Sequence, residues 1–155
     1  MNIKRDKRDA IFSLLIRERA GWKCERCGKR FSREDGQGLH CSHFISRRHR
    51  STRWHPDNAA AHCFTCHQYL GEHPLEFAEW IRKHLGAGYR TAELRALSQV
   101  VAKFSKKDLE SIYRHMKVEL RAMENGRDRL KSHIIIKIAP EIAARSSTRM
   151  RLWLT

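Results

Sequence analysis

The chain has 155 residues, a length typical of one domain, and its 41% hydrophobic and 32% charged residues provide for a modest core. No apolar run approaches the roughly 18–20 residues that span a bilayer, and the charged N-terminus predicts no secretory signal. We therefore expect a cytoplasmic protein without a membrane partner. Thirty-two Lys and Arg against seventeen Asp and Glu give a formal net charge of +15, spread over both halves. This charge favours a polyanionic ligand such as DNA or RNA over a surface that is charged only for solubility.

The N-terminal part combines a helix, loops and a short strand. Hydrophobic periodicity predicts an amphipathic helix at residues 9–20, which Gly21 ends. A polar loop at residues 32–38 precedes a strand predicted at residues 39–45. The following segment, residues 46–56, is strongly basic and is predicted to be a loop, called the basic loop below.

Helical patterns dominate the middle of the chain. Helices are predicted at residues 74–85, 91–99 and 106–124, the last with Ser105 as its N-cap and Asp108 completing a capping box. The apolar stripes of the first and third of these helices indicate packing between helices, with dimerisation as the alternative.

The sequence therefore divides into three predicted parts. Residues 1–73 form a core with an N-terminal helix, residues 74–126 form a helical region, and residues 127–155 form a basic C-terminal segment. Within that last segment, residues 133–138 fit either a strand or a helix. Residues 145–155 fit either a DNA-contacting arm or a disordered tail.

Two CxxC pairs form the strongest motif. Cys24 and Cys27 are separated by thirty-five residues from Cys63 and Cys66. Four thiolates in two tight turns match the tetrahedral coordination that Zn²⁺ prefers, and metal binding would stabilise a core of this size. The alternative is a set of free buried thiols. The fifth cysteine, Cys41, has no paired partner and is predicted to be a small buried strand residue.

Three more polar residues stand at fixed positions around the second pair. His43 lies in the predicted strand, Asn58 comes five positions before Cys63, and His67 follows Cys66 directly. This pattern resembles the HNH, or ββα-metal, nuclease motif. With one CxxC pair before the motif and one inside it, the chain resembles phage endonuclease VII and its relatives.

A longer stretch makes the resemblance more specific. Residues 41–47, 53–54, 58 and 63–67 together are similar to the NinG/Rap family of lambdoid-phage recombination nucleases, which act on branched DNA. The similarity extends over roughly residues 20–123 and is weaker in the helical region.

The resemblance implies an α+β fold in which a small zinc-stabilised ββα-metal core carries a mainly helical C-terminal extension. It also implies a metal-dependent DNA endonuclease with a structural Zn²⁺ and a catalytic Mg²⁺ or Mn²⁺. The expected substrates are branched recombination intermediates such as Holliday junctions or D-loops, which a homodimer could cut in pairs. Recombination proteins are further expected partners, and the place of action would be the cytoplasm of a bacterial host.

The same comparison assigns roles to the three polar residues. His43 would be the general base, since an imidazole with a pKa near 6.5 suits proton abstraction at neutral pH. His67 would bind the catalytic cation, which stabilises charge on the phosphate and on the leaving 3′-oxygen. Asn58 would hold the loop through hydrogen bonds to the backbone, so that His43 is correctly oriented.

One position departs from the usual HNH pattern. The residue before the general base is commonly an Asp or His that binds the metal, but here it is Ser42, a poor ligand. The second ligand is therefore open, and a histidine-rich site would favour Mn²⁺, Co²⁺, Ni²⁺ or Zn²⁺ over Mg²⁺. The candidates are His40, His49, His55, His62, Glu72 and His73.

The basic loop contains four arginines and no acid between residues 46 and 55. Its position between the two halves of the motif favours contact with a nucleic acid, although a solvated run of charge is the alternative. Trp54 is equally suited to the core and to stacking on a base. The predicted phosphate contacts are Arg47, Arg48, Arg50 and Arg53.

Other functions fit parts of the same pattern. One is a zinc-containing DNA-binding or recombination accessory protein without catalysis, for which Ser42 is the best argument. Another is a homing or restriction-type HNH nuclease that cuts a defined linear sequence.

Overall fold

We describe the protein from a computed structural model, which covers residues 3–34, 37–86 and 88–126. The predictions made for residues 127–155 lie outside this part of the chain. The described residues combine five helices with a sheet of two strands, which confirms the predicted combination of a small sheet with several helices. The elements are α1 (Lys7–Arg19), β1 (Leu39–His43), β2 (Ala59–Cys63), α2 (Phe64–Glu72), α3 (Pro74–His84), α4 (Gly88–Ser98) and α5 (Lys106–Glu124).

Helix α1 begins two residues before its predicted start because Asp6 caps it. The Asp6 carboxylate accepts a hydrogen bond from the backbone N–H of Arg8 at 2.8 Å, and the Asp9 carboxylate accepts one from the N–H of Asp6 at 2.9 Å. This capping box satisfies donors that the first turn leaves without partners. The apolar face of α1 then packs into the core through Phe12 and its neighbours.

Strands β1 and β2 pair in antiparallel fashion, with Leu39 opposite Cys63 and His43 opposite Ala59. The basic loop connects them. Strand β1 ends two residues before its predicted end, because beyond His43 the backbone of Ile45 bonds to the side chain of Asn58 instead of to a strand partner.

One core joins the two ends of the described chain. Helix α5 packs on α1, and its residues Ile112, Met116 and Leu120 are buried in the same cluster as Phe12 and Cys24. The predicted capping box of Ser105 and Asp108 is confirmed. The apolar stripe of α5 thus packs within the chain, which is the first of the two predicted alternatives.

Helix α2 lies against both strands and against α3. Helix α3 buries none of its residues and reaches the sheet through Phe77 and Trp80, whose rings contact His62. Helix α4 begins three residues before its predicted start and buries Leu94. Among the described residues, no helix has the length and apolar character that crossing a membrane would require.

Candidate active site and metal centre

The four paired cysteines converge at one end of the sheet. Their sulfur atoms all lie within 4.8 Å of one another, and the Cys27 and Cys63 sulfurs are 3.8 Å apart. A tetrahedron with zinc–sulfur bonds of about 2.3 Å has edges of about 3.8 Å. The donor set and its spacing therefore fit a structural metal ion such as Zn²⁺.

Local backbone geometry places each pair. The first pair lies on a tight turn, in which the N–H of Gly28 donates to the carbonyl of Cys24 at 2.8 Å and Gly28 adopts a φ of 76°. Glycine suits this left-handed conformation because it has no Cβ. Glu25 fixes the turn to β2, since its N–H donates to the Ala61 carbonyl at 2.8 Å and its carboxylate accepts from the Ala61 N–H at 2.6 Å.

The second pair spans the junction of β2 and α2. Cys63 caps the helix, because its sulfur accepts a hydrogen bond from the backbone N–H of Cys66 at 3.5 Å. Burial, together with the neighbouring sulfurs, raises the pKa of the Cys66 thiol to about 12, although Arg26 lies 3.7 Å from its sulfur. A bound divalent cation would remove this penalty by compensating the thiolate charges.

A cleft of about 670 Å³ lies between α1, β1 and the start of α2, and we call it the histidine cleft. It brings both histidines of the predicted catalytic set to one place, together with residues from the N-terminal segment and the basic loop. Its basic and histidine lining consists of His40, His43, His67, Arg5, Arg17 and Arg47.

His43 is the last residue of β1 and lies against the ring of Phe12, with ring centres 5.6 Å apart. Its Nε2 is 3.0 Å from the carbonyl oxygen of Arg53. Because a carbonyl can only accept, this bond favours a proton on Nε2. The backbone carbonyl of Cys41 also interacts with the ring. Burial lowers the pKa of His43, and the backbone carbonyls of Arg53 and Cys41 oppose this only in part. The imidazole is therefore neutral at pH 7, as a general base must be.

His67 lies in the first turns of α2, next to the ring of His40 on β1, and the two ring centres are 5.3 Å apart. Burial lowers the pKa of both imidazoles, and nearby positive side chains, Arg5 among them, lower it further. Among the described residues, neither ring makes a hydrogen bond to protein. Both are thus neutral and have free lone pairs, which a metal ligand requires.

The other candidates for the second ligand are engaged or distant. The buried His62 ring packs against Trp80, with ring centres 4.6 Å apart, and its pKa falls to about 3 because of burial. His49 contacts the carbonyl of Ser98, and His55 caps the short turn before β2. Two candidates lie on or beside α2 and have partners there, namely His73 with the Tyr69 carbonyl and Glu72 with Gln68.

Asn58 is fully buried and holds the two ends of the basic loop. Its Oδ1 accepts from the N–H of Ile45 at 2.7 Å, while its Nδ2 donates to the carbonyls of Ile45 at 3.0 Å and Thr52 at 2.9 Å. These three bonds fix the chain directly after His43. The arrangement matches the positioning role that the motif suggests for this residue.

The basic loop is a compact series of turns, with Ser51 and Thr52 buried beneath it. Arg47 lines the histidine cleft, and Arg48 and Arg50 are exposed, Arg50 with its guanidinium 5.3 Å from the centre of the Phe104 ring. These three arginines lie at or near the surface, where a polyanion could reach them.

Arg53 and Trp54, in contrast, are bound to another part of the fold through Asp9. The Arg53 guanidinium contacts the Asp9 carboxylate at 2.6 and 2.9 Å, and its side chain is 13% exposed. Trp54 is buried and donates its indole N–H to the same carboxylate at 3.1 Å. Of the two alternatives for Trp54, the structure supports the core position.

Sequence reasoning missed three residues of this region. Arg5 and Arg17 line the histidine cleft from the N-terminal segment and α1, and Asp9 anchors the basic loop. No motif spacing marks them, because they come from a part of the chain that reaches the site only through packing.

No protein-family model, no curated protein and no solved structure matches this chain. The four-cysteine cluster and the histidine cleft therefore rest on the geometry of the chain itself.

Proposed function

We propose that the protein is a metal-dependent DNA endonuclease that hydrolyses phosphodiester bonds in the histidine cleft. The observation that carries this proposal is the convergence of His40, His43 and His67 with three arginines in one cleft, directly beside the four-cysteine cluster. Phosphodiester hydrolysis needs a neutral base, groups that can bind a cation and positive charge for the phosphate. The His43 imidazole, the pair of His40 and His67, and the cleft arginines could supply these in turn.

In the proposed reaction, His43 activates a water molecule. Nδ1 takes one proton from the water while the water oxygen attacks phosphorus, and the bond from phosphorus to the 3′-oxygen breaks. The leaving 3′-oxygen then takes up a proton from solvent. A divalent cation held by His67 would supply positive charge to the phosphate and to the leaving oxygen. Arg5 and Arg47 orient the phosphate through charged hydrogen bonds.

Asn58 acts in this scheme as a positioning residue. Its bonds to Ile45 and Thr52 fix the loop that begins after His43. The same loop supplies the Arg53 carbonyl that holds the His43 ring. A loosened loop would therefore change the tautomer and the direction of the base.

We infer that DNA lies across the cleft and the exposed arginines of the basic loop. Arg47, Arg48 and Arg50 are the proposed phosphate contacts, whereas Arg53 is left out because its guanidinium is paired with Asp9. A preference for branched recombination intermediates, a homodimer and recombination partners are part of the proposal, supported by the resemblance to the NinG/Rap family. Comparing cleavage of a four-way junction with cleavage of a linear duplex of the same arms tests the preference.

The central experiment is nicking of a supercoiled plasmid by zinc-loaded protein with added Mg²⁺, Mn²⁺, Ni²⁺, Co²⁺ or no further ion. We expect ion-dependent nicking that falls at least about 100-fold in His43→Ala, the usual contribution of a general base. His73→Ala is the matched control, because this exposed imidazole lies outside the cleft, and it should nick at the wild-type rate. Equal rates for wild type and His43→Ala would refute the assignment of the base.

One observation favours a second function, a zinc-containing DNA-binding protein without catalysis. Both carboxylates that line the cleft are engaged, Asp6 in the cap of α1 and Asp9 with Arg53, and Ser42 offers no charge. A cleft without a free carboxylate is a weak site for Mg²⁺. Tight DNA binding by a wild-type protein that nicks with none of the ions tested would support this function.

A further inference from the structure

The pair His40 and His67 has a geometry that an ion could bridge. The rings come from different elements, β1 and α2, and their centres are 5.3 Å apart with 49° between their planes. Two imidazoles bound to one ion through nitrogen at about 2.1 Å, at an angle between about 90° and 110°, have ring centres about 4.5–5.5 Å apart. The observed separation falls within this range without any movement of the backbone.

The groups around His40 and His67 determine which class of metal ion could bind there. His40 and His67 make no hydrogen bonds to other described residues, whereas the carboxylates in the same cleft, Asp6 and Asp9, are held by backbone donors and by arginines. Besides the thiol of Cys41, the groups most able to bind a cation there are therefore imidazole nitrogen atoms. Imidazole favours Ni²⁺, Co²⁺ and Zn²⁺, whereas Mg²⁺ requires oxygen ligands and keeps most of its water.

Because Ser42 is a poor metal ligand, a second ligand in this chain has to come from another position. Ser42 lies on β1 two residues after His40, is buried, and is paired with Ala60 across the sheet. Its hydroxyl is not among the groups that line the cleft. His40 instead lies on the strand at the position from which a ring can reach the start of α2.

We propose that His40 and His67 together hold one divalent transition-metal ion in the histidine cleft, and that this pair selects Ni²⁺, Co²⁺ or Zn²⁺ over Mg²⁺. The inference rests on the proposed function, because the ion would act on the same phosphate that the cleft arginines orient and that the water activated by His43 attacks. It goes further by naming the second protein ligand and the class of ion.

Direct metal binding tests the inference without reference to cleavage. Protein that carries one equivalent of zinc is titrated with Ni²⁺ in a calorimeter, and the zinc content is measured again afterwards. We expect one further equivalent of Ni²⁺ to bind, with at least tenfold weaker affinity in His40→Ala and in His67→Ala. His73→Ala should bind like the wild type, and Mg²⁺ at the same concentrations should produce no binding heat.

A second substitution guards against loss of folding. His40→Gln preserves most of the side-chain volume, and its thermal melting curve shows whether the fold persists. Wild-type protein that takes up no ion beyond its zinc would overturn the inference, as would a folded His40→Gln variant that binds Ni²⁺ with wild-type affinity.

The two proposals fail in different ways. Nickel binding that depends on His40, in a protein that nicks DNA with none of the ions, supports the metal pair and removes the nuclease function. Nicking that is retained in His40→Gln, together with unchanged Ni²⁺ binding, supports the nuclease and removes the metal pair.

Discussion

Asp9 is the residue that attaches the basic loop to α1. Its carboxylate is 7% exposed and receives two hydrogen bonds from Arg53 and one from Trp54. Burial opposes its ionisation, but the bonds from Arg53 and the other donors outweigh burial, so the pKa of Asp9 lies below its ordinary value.

Replacing this carboxylate should destabilise the fold strongly. Asp9→Asn leaves the Arg53 guanidinium, 13% exposed, without its counter-charge, and loss of one partner from a buried pair costs about 3–5 kcal/mol. Urea unfolding measures the free energy, with Glu110→Gln as control, since Glu110 forms an exposed ion pair with Lys7 at 3.0 Å and should matter little. Similar midpoints for Asp9→Asn and wild type would contradict the structural role of the pair.

The pH dependence of the stability of Asp9→Asn tests whether the charge of Asp9 is what stabilises the fold. A carboxyl whose pKa is lowered by folding adds stability above its unfolded pKa, about 3.9 for Asp, and this stability is lost as the pH falls through the lower folded value. The stability difference between wild type and Asp9→Asn should therefore be constant from pH 7 to about pH 5 and shrink below about pH 4. A difference that is independent of pH down to pH 3 would assign the effect to packing rather than to charge.

Asn58 offers a second residue-scale prediction. Asn58→Ala removes three buried hydrogen bonds and leaves backbone groups of Ile45 and Thr52 without partners, so we expect a loss of about 2–4 kcal/mol. Asn125→Ala is the matched control, because Asn125 is exposed at the end of α5. Urea unfolding reports the loss, and limited proteolysis should show faster cleavage within the basic loop of Asn58→Ala. Equal protection of the loop in both variants would contradict the role of Asn58 as its clamp.

At the scale of elements, local pattern and long-range packing separate what the sequence could predict from what it could not. Helices α1 and α5 have apolar stripes and caps in their own sequences, so both were predicted to within about two residues. Strand β2 was not identified, because Ala59 to Ala61 favour no strand by themselves. Their strand conformation depends on pairing with β1 and on complete burial.

The same distinction holds for the site. Chain spacing was sufficient to predict that four cysteines would cluster, because a CxxC turn is a local structure. The pairing of Arg53 with Asp9, forty-four positions apart in the chain, has no local signal. The sequence therefore predicts a phosphate contact at Arg53 from its position in a basic loop, whereas its pairing with Asp9 is visible only in the structure.

We expect the folded state of the sheet and of α2 to depend on metal bound at the four-cysteine cluster. The cluster joins the turn at Cys24 to the junction of β2 and α2. The other links of that turn to the fold are made mainly by the side chains of Glu25 and Arg26 at its surface. Chelation of bound zinc should therefore remove amide-exchange protection from β1, β2 and α2 and lower the melting temperature. Cys24→Ser should resemble the chelated protein, while Cys41→Ser, outside the cluster, should keep its zinc. Unchanged protection after chelation would show that the cluster is not a structural metal site.

At the scale of the whole molecule, one hydrophobic core supports a strongly basic surface. Helix α5 packs on α1, α1 anchors the basic loop through Asp9, and the loop holds His43 through the Arg53 carbonyl. The histidine cleft is thus connected to the hydrophobic core through α1 and the basic loop. Its arginines add to a formal net charge of +15, so the electrostatic attraction of DNA should depend on these positions as well as on total charge.

Salt dependence separates local phosphate contacts from total charge. Each phosphate that is neutralised contributes about 0.9 to the slope of log K against log salt concentration. Arg5→Gln and Arg47→Gln, both in the cleft, should each reduce that slope by about one when DNA binding is measured by fluorescence anisotropy between low and moderate salt. Arg82→Gln removes the same charge from exposed helix α3 and should leave the slope almost unchanged. If all three substitutions reduce the slope equally, DNA is attracted by net charge alone and the cleft has no special part in binding it.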